Sequence, residues 1–153
     1  MDLILWRHAE AELLQDGMND LQRGLTAKGE RQAKRMAVWL NQRLPASTRV
    51  LVSPAQRTLG TAEALGREFR SVPSIAPDAS VADLLAAARW PDATEATLLV
   101  GHQPTLGRLA SLLLTGHDQA WSVKKGAVWW LRSRLREGQT EVLLQAMQAP
   151  DFL

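Results

Sequence analysis

Leu3-Ile4-Leu5-Trp6-Arg7-His8-Ala9-Glu10-Ala11-Glu12 decides the fold of this chain. Four apolar residues run without alternation into an arginine and a histidine. A strand covered on both faces reads this way, because helices on either side leave no face for water. Such a strand delivers Arg7 and His8 at its carboxyl end. Taken alone, an apolar run closed by a basic pair is commonplace. Its weight depends on whether other strands finish in matching chemistry.

Two others do. Val50 to Val52 reads as a short strand followed by Ser53-Pro54, a helix start with serine at the N-cap and proline at the first helical position. Ala55, Leu59, Ala62 and Phe69 give that helix its apolar stripe, and Arg57 falls in its first turn. Thr97 to Val100 reads as a third buried strand. It ends in Gly101-His102-Gln103-Pro104, and Leu106, Leu109, Ala110 and Leu113 then mark a helix stopped by Gly116.

Between these pieces, Thr26 caps a helix whose apolar residues Ala33, Met36, Ala37, Leu40 and Leu44 recur at helical spacing until Pro45. A further short strand is expected around Ser74 and Ile75, and a helix from Ser80 to Arg89. Gly126 to Leu131 and Glu141 to Met147 read as two late strands joined by a turn over residues 136–139. The alternation predicts an α/β fold: a three-layer α/β/α sandwich on a mostly parallel central sheet, closed by a C-terminal antiparallel hairpin. One domain is expected to span residues 1–153.

Composition narrows the class. The chain has 153 residues, 46% of them hydrophobic and 22% charged, as a globular protein does. It has no cysteine, which rules out disulfides and thiolate metal sites and fits a reducing compartment, here read as the cytoplasm. The net charge of +2 with scattered arginines does not suggest a nucleic-acid partner. The apolar runs are too short for a membrane span, and the first one stops at Arg7 with no basic region before it, unlike a signal peptide. The three histidines lack ligand-like spacing, so neither a metal nor another cofactor is expected.

If the three strands are parallel, His8, His102, Arg7 and Arg57 meet at one sheet edge, where open α/β sheets bind ligands. The following helix N-termini add partial positive charge. The cluster suits a compact anion with several oxygens, a phosphoryl group above all, since the arginine fork donates bidentately to phosphate.

These residues also match a family. Leu5-Trp6-Arg7-His8-Ala9 resembles the R-H-G or R-H-A opening of the histidine phosphatase superfamily, whose fold is phosphoglycerate-mutase-like. Ser53-Pro54-Ala55-Gln56-Arg57-Thr58 with Thr61-Ala62 resembles its S-P-x-x-R-x-x-x-T-A element, and Gly101-His102-Gln103-Pro104 its G-H-x-P element. Leu25-Thr26 with Gly29 and Gln32-Ala33 resembles its L-T-x-x-G-x-x-Q-A helix start. The match runs in the family's order from residue 3 to about residue 110. The R-H-A-E-A variant, the short length and Lys124-Lys125-Gly126-Ala127 resemble the SixA-like phosphohistidine phosphatases in particular.

The resemblance implies roles. His8 would be the nucleophile, forming a phosphohistidine intermediate. Arg7 and Arg57 would clamp the phosphate, His102 would donate to a phosphoryl oxygen, and Arg23 would support phosphate or substrate binding. Relatives that cleave alcohol phosphates carry a carboxylate acid in the middle region, where this chain offers only Asp78 and Asp83 in no matching motif. That tilts the expected substrate toward phosphohistidine on a signalling or phosphotransfer protein, whose imidazole leaves without an enzymic acid. The alternatives are a small-molecule phosphomonoesterase acting on a phosphorylated metabolite, or a non-catalytic domain that binds phospho-ligands. Outside the cluster, His117, Lys124 and Lys125 read as solvated, and Glu10, Glu12 and Asp16 as an acidic loop face.

Overall fold

A computed structural model describes all 153 residues. β1 (Asp2–Arg7), β2 (Arg49–Val52), β3 (Arg70–Ser71), β4 (Thr97–Gly101), β5 (Val128–Arg136) and β6 (Gln139–Gln148) form one sheet in the order β3-β2-β4-β1-β5-β6. The first four strands are mutually parallel. β5 runs antiparallel to β1 and is paired antiparallel with β6, the expected closing hairpin.

Four helices cover the sheet: α1 (Ala27–Asn41), α2 (Gln56–Glu63), α3 (Val81–Ala88) and α4 (Thr105–Thr115). Successive side chains of a strand point to opposite faces, and β1 feeds two cores that way. Ile4 and Trp6 pack with Met36 and Leu40 of α1 and Ala62 of α2. Leu3 and Leu5 pack with Leu84 of α3 and Leu106 and Leu109 of α4. All four strand residues are fully buried, which is why the run shows no polar alternation. The result is the three-layer α/β/α sandwich.

Local chemistry sets the helix ends. Thr26 Oγ1 accepts from the Gly29 amide and caps α1, while Ser80 and Asp83 form a reciprocal capping box on α3. Gly116, in the left-handed region at φ 80°, ends α4.

Several boundaries differ from expectation. α2 starts at Gln56 behind Ala55, with no side-chain cap, and ends at Glu63, so Ser53 is not its cap and Phe69 lies outside it. The third strand is Arg70–Ser71, beside β2; Ser74 and Ile75 sit in a 3-10 turn that Pro73 opens. β5 and β6 are longer than their apolar patterns. Glu137 and Gly138, both at positive φ, make a two-residue hairpin loop, so pairing continues to Arg136 and Gln139. No helix is long and apolar enough to cross a membrane.

Connectivity places a crevice. After β1 the chain passes through α1 to β2, and after β4 it passes through α4 to β5. β1 and β4 are neighbours whose connections leave toward opposite sides of the sheet, a topological switch point. Their registers are level at the carboxyl end, with Arg7 opposite Gly101, so His8 and His102 emerge side by side.

Candidate active site

Those two rings lie 5.4 Å apart between centroids and are both buried. They line a cleft of about 300 Å³ together with Arg7, Arg23, Arg57 and Lys125. No carboxylate lines it. All five residues expected from the sequence are therefore brought together. Lys125, read from sequence as solvated, adds a fourth cation to the lining.

A network built from the recurring motifs holds His8. Its amide donates to Gly101 O at 3.1 Å and its carbonyl accepts from the Gly126 amide at 3.0 Å. The Ala9 amide, next in the chain, donates to Thr61 Oγ1 of α2 at 3.0 Å. The Glu10 amide donates to Gln32 Oε1 of α1, and the Thr26 amide donates back to Glu10 O. Gly29 is required where it stands, because any Cβ there would overlap the carbonyl oxygen of Glu10. The Thr, Gly and Gln of the α1 start and the Thr of α2 thus grip the turn behind His8.

The His8 ring is oriented by its own backbone. Its Nδ1 lies 2.7 Å from Ala9 O. A carbonyl only accepts, so Nδ1 carries the proton and neutral His8 has its lone pair on Nε2. Burial, followed by the charges of Arg7, Arg57 and Arg23, pushes the His8 pKa down to about 4. Burial and Arg57 push His102 down to about 3. Both rings are neutral at physiological pH, with desolvation the larger cause and arginine repulsion the smaller.

Each arginine is anchored on one side. Arg7 Nη1 donates to Val123 O at 2.8 Å. Arg57 donates to the carbonyl and the carboxylate of Asp20, at 2.9 and 3.0 Å. Arg23 donates to the same carboxylate at 2.9 Å and to Glu12 O at 3.0 Å. Asp20, in a 3-10 turn over Asp20–Gln22, is a site residue the sequence did not single out. Ser53 is a second: its Oγ lies 2.7 Å from Nε2 of His102.

Three buried side-chain polar atoms in the whole molecule lack a hydrogen-bond partner: Nε of Arg7, Nε of Arg57 and Nδ1 of His102. All three belong to this cleft. A buried unsatisfied donor costs about 1–3 kcal/mol, and these three unpartnered atoms all sit on residues that line the same cleft. Asp78 and Asp83 take no part. Both are exposed, neither lines the cleft, and the Asp83 carboxylate accepts from the Ser80 amide at 2.9 Å. Glu10 is also committed elsewhere, accepting from Thr26 Oγ1 at 2.8 Å.

Known proteins resemble this chain in sequence and in fold. Residues 3–81 match the family described as histidine phosphatase superfamily (branch 1). An uncharacterized protein of Picosynechococcus sp. strain PCC 7002 is 37% identical over 87% of this chain and 86% of its own. A candidate phosphohistidine phosphatase SixA from Nakamurella multipartitia superposes with a TM-score of 0.78 at 29% identity, over 97% of this chain and 95% of that one. The protein histidine phosphatase SixA complexed with tungstate gives 0.76 at 27% identity, over 99% of both chains. With its motifs placed around one cleft lined by arginines and histidines, the chain belongs to the histidine phosphatase superfamily, branch 1.

Proposed function

We propose that the protein is a metal-independent phosphatase that dephosphorylates phosphohistidine on a partner protein through a phospho-His8 intermediate. The observation that carries this reading is the set of three unpartnered buried nitrogens on Arg7, Arg57 and His102, residues that share one cleft with His8, whose Nε2 is unprotonated. The structural relative bound to tungstate, a tetrahedral oxyanion like phosphate, supports it.

In the proposed reaction Nε2 of His8 attacks phosphorus in line with the bond to the leaving imidazole. The new P–N bond forms as the old one breaks, and its electron pair leaves on the substrate ring nitrogen, which solvent protonates. Arg7 and Arg57 hold the non-transferring oxygens, and His102 donates to one of them as charge spreads in the transition state. Water then attacks phosphorus as the P–Nε2 bond breaks, the electron pair returns to Nε2 of His8, and inorganic phosphate leaves with the excess proton of the water passing to solvent. No step uses a metal, and no three histidine, cysteine or carboxylate side chains cluster to hold one.

The lining of the cleft favours a nitrogen leaving group. An alkoxide needs a proton as it departs, and no carboxylate lines the cleft to supply it. The same absence argues against ordinary phosphate esters as the main substrates.

Rapid quench with a radiolabelled phosphohistidine protein tests the reading. Acid-labile label should accumulate on His8 and be absent from His8→Ala. A fully active His8→Ala enzyme would sink the proposal, and faster turnover of phosphate esters than of phosphohistidine would remove the substrate assignment.

A further inference from the structure

We infer that Ser53 is a positioning residue: its hydroxyl donates to Nε2 of His102 and so fixes the tautomer that carries the proton on Nδ1. The inference rests on the phosphatase reading for its purpose, but its geometry is independent of that reading.

Ser53 is the first residue beyond β2, and the register Val52 opposite Val100 sets it beside the end of β4. It is fully buried, and Nε2 of His102 at 2.7 Å is the hydroxyl's hydrogen-bond partner. With Nε2 taken by Ser53, Nδ1 is the ring nitrogen left for a ligand, and it is one of the three buried atoms without a protein partner.

Neutral imidazole has one donor nitrogen and one acceptor nitrogen. Phosphoryl oxygens at neutral pH accept hydrogen bonds. An unprotonated Nδ1 would set a lone pair against them, so only the Nδ1–H tautomer serves the cleft. In that tautomer Nε2 must accept, and the Ser53 hydroxyl is placed to donate to it. The alternative, a fully protonated ring, is opposed by the burial that keeps His102 neutral. His8 reaches its reactive tautomer through the Ala9 carbonyl, which accepts from Nδ1–H. His102 reaches its own through a hydroxyl that donates to Nε2. Both histidines thus keep their protons on Nδ1, one to free Nε2 for attack and the other to donate.

Nitrogen NMR of the imidazole rings tests this directly. The chain has three histidines, and His117→Gln leaves only the two of the site to assign. The wild-type spectrum should show a protonated, pyrrole-like Nδ1 and an unprotonated, pyridine-like Nε2 for His102. Ser53→Ala should shift that ring toward a mixture of tautomers and lower kcat about tenfold, the weight of one neutral hydrogen bond, with KM little changed. Proton and amide spectra of Ser53→Ala report whether the fold is retained. Wild-type His102 protonated on Nε2, or on both nitrogens, overturns the inference whatever the activity. So does a folded Ser53→Ala whose tautomer and kcat match wild type. Failure of the phosphatase reading would show instead as no turnover by wild type, with the tautomer intact.

Discussion

Asp20 accepts from Arg57 twice, through its carbonyl at 2.9 Å and its carboxylate at 3.0 Å, and the same carboxylate accepts from Arg23. The loop before α1 therefore presents an internal anion to two of the cations that line the cleft. Asp20→Asn keeps the carbonyl contact and removes the charge. Inorganic phosphate should then inhibit about three- to fivefold more strongly, as expected for removing one partly exposed carboxylate from its two arginine partners. Weaker inhibition would show that Asp20 orders the arginines more than it offsets them.

The two arginines should separate kinetically. Arg57 is buried and has an unpartnered Nε, whereas Arg23 sits closer to the rim. Arg57→Ala should lose about a thousandfold in kcat/KM, the scale of a phosphoryl clamp. Arg23→Ala should lose about tenfold, mostly through KM. Steady-state kinetics on a phosphohistidine protein measures both.

Acid should affect stability before it affects chemistry. In the unfolded chain His8 and His102 titrate near 6.5, whereas in the folded protein they titrate at about 4 and about 3. Between those values the unfolded state binds more protons, so stability rises with pH across the window and is lost as pH falls from 6.5 toward 4. Denaturant unfolding at a series of pH values should show this slope, and His102→Gln should flatten it. The rate of phosphorylation of His8 should stay level down to about pH 5 and fall as His8 protonates.

The aspartates of the middle region should be silent in catalysis. Asp83→Ala removes the capping box of α3 and should cost about 1 kcal/mol of stability with kcat unchanged. Asp78→Ala should change neither. A selective loss of ester turnover in either variant would revive the phosphomonoesterase reading.

Gly29→Ala should behave as a site mutation although it lies on a helix. The added methyl would overlap the Glu10 carbonyl and push away the turn behind His8. The expected loss is about 1–3 kcal/mol of stability, with reduced kcat, read by thermal melts and kinetics.

The parts legible in the sequence are those encoded locally. The unbroken apolar run of β1, the Thr26 cap and the Gly116 stop are each set by residues within a turn of one another. The strand ends could be aligned from their chemistry alone, which brought His8, His102, Arg7 and Arg57 together. The misreadings are long-range. Ser53-Pro54 has the composition of a helix start, but the Ser53 hydroxyl is bound to a histidine 49 residues away. Arg70–Ser71 is too short to show a period and is a strand only because β2 lies beside it. Asp20 and Lys125 sit in polar loops, and only the folded chain brings them to the cleft.

The placement of β1 has a consequence for how the molecule comes to exist. This strand, made before the other five of the sheet, lies inside it, with Leu3 paired to Thr97 on one side and Leu131 on the other. Its neighbours are among the later strands to leave the ribosome. The His8 turn has the same dependence, since it is held by Gly101 and Gly126. A nascent chain truncated before β5 would carry every residue of the family signature yet leave β1, with its four fully buried apolar residues, half unpaired. Folding that waits on such distant partners is slow and exposed to aggregation, so function should appear only once the last third of the chain has been made.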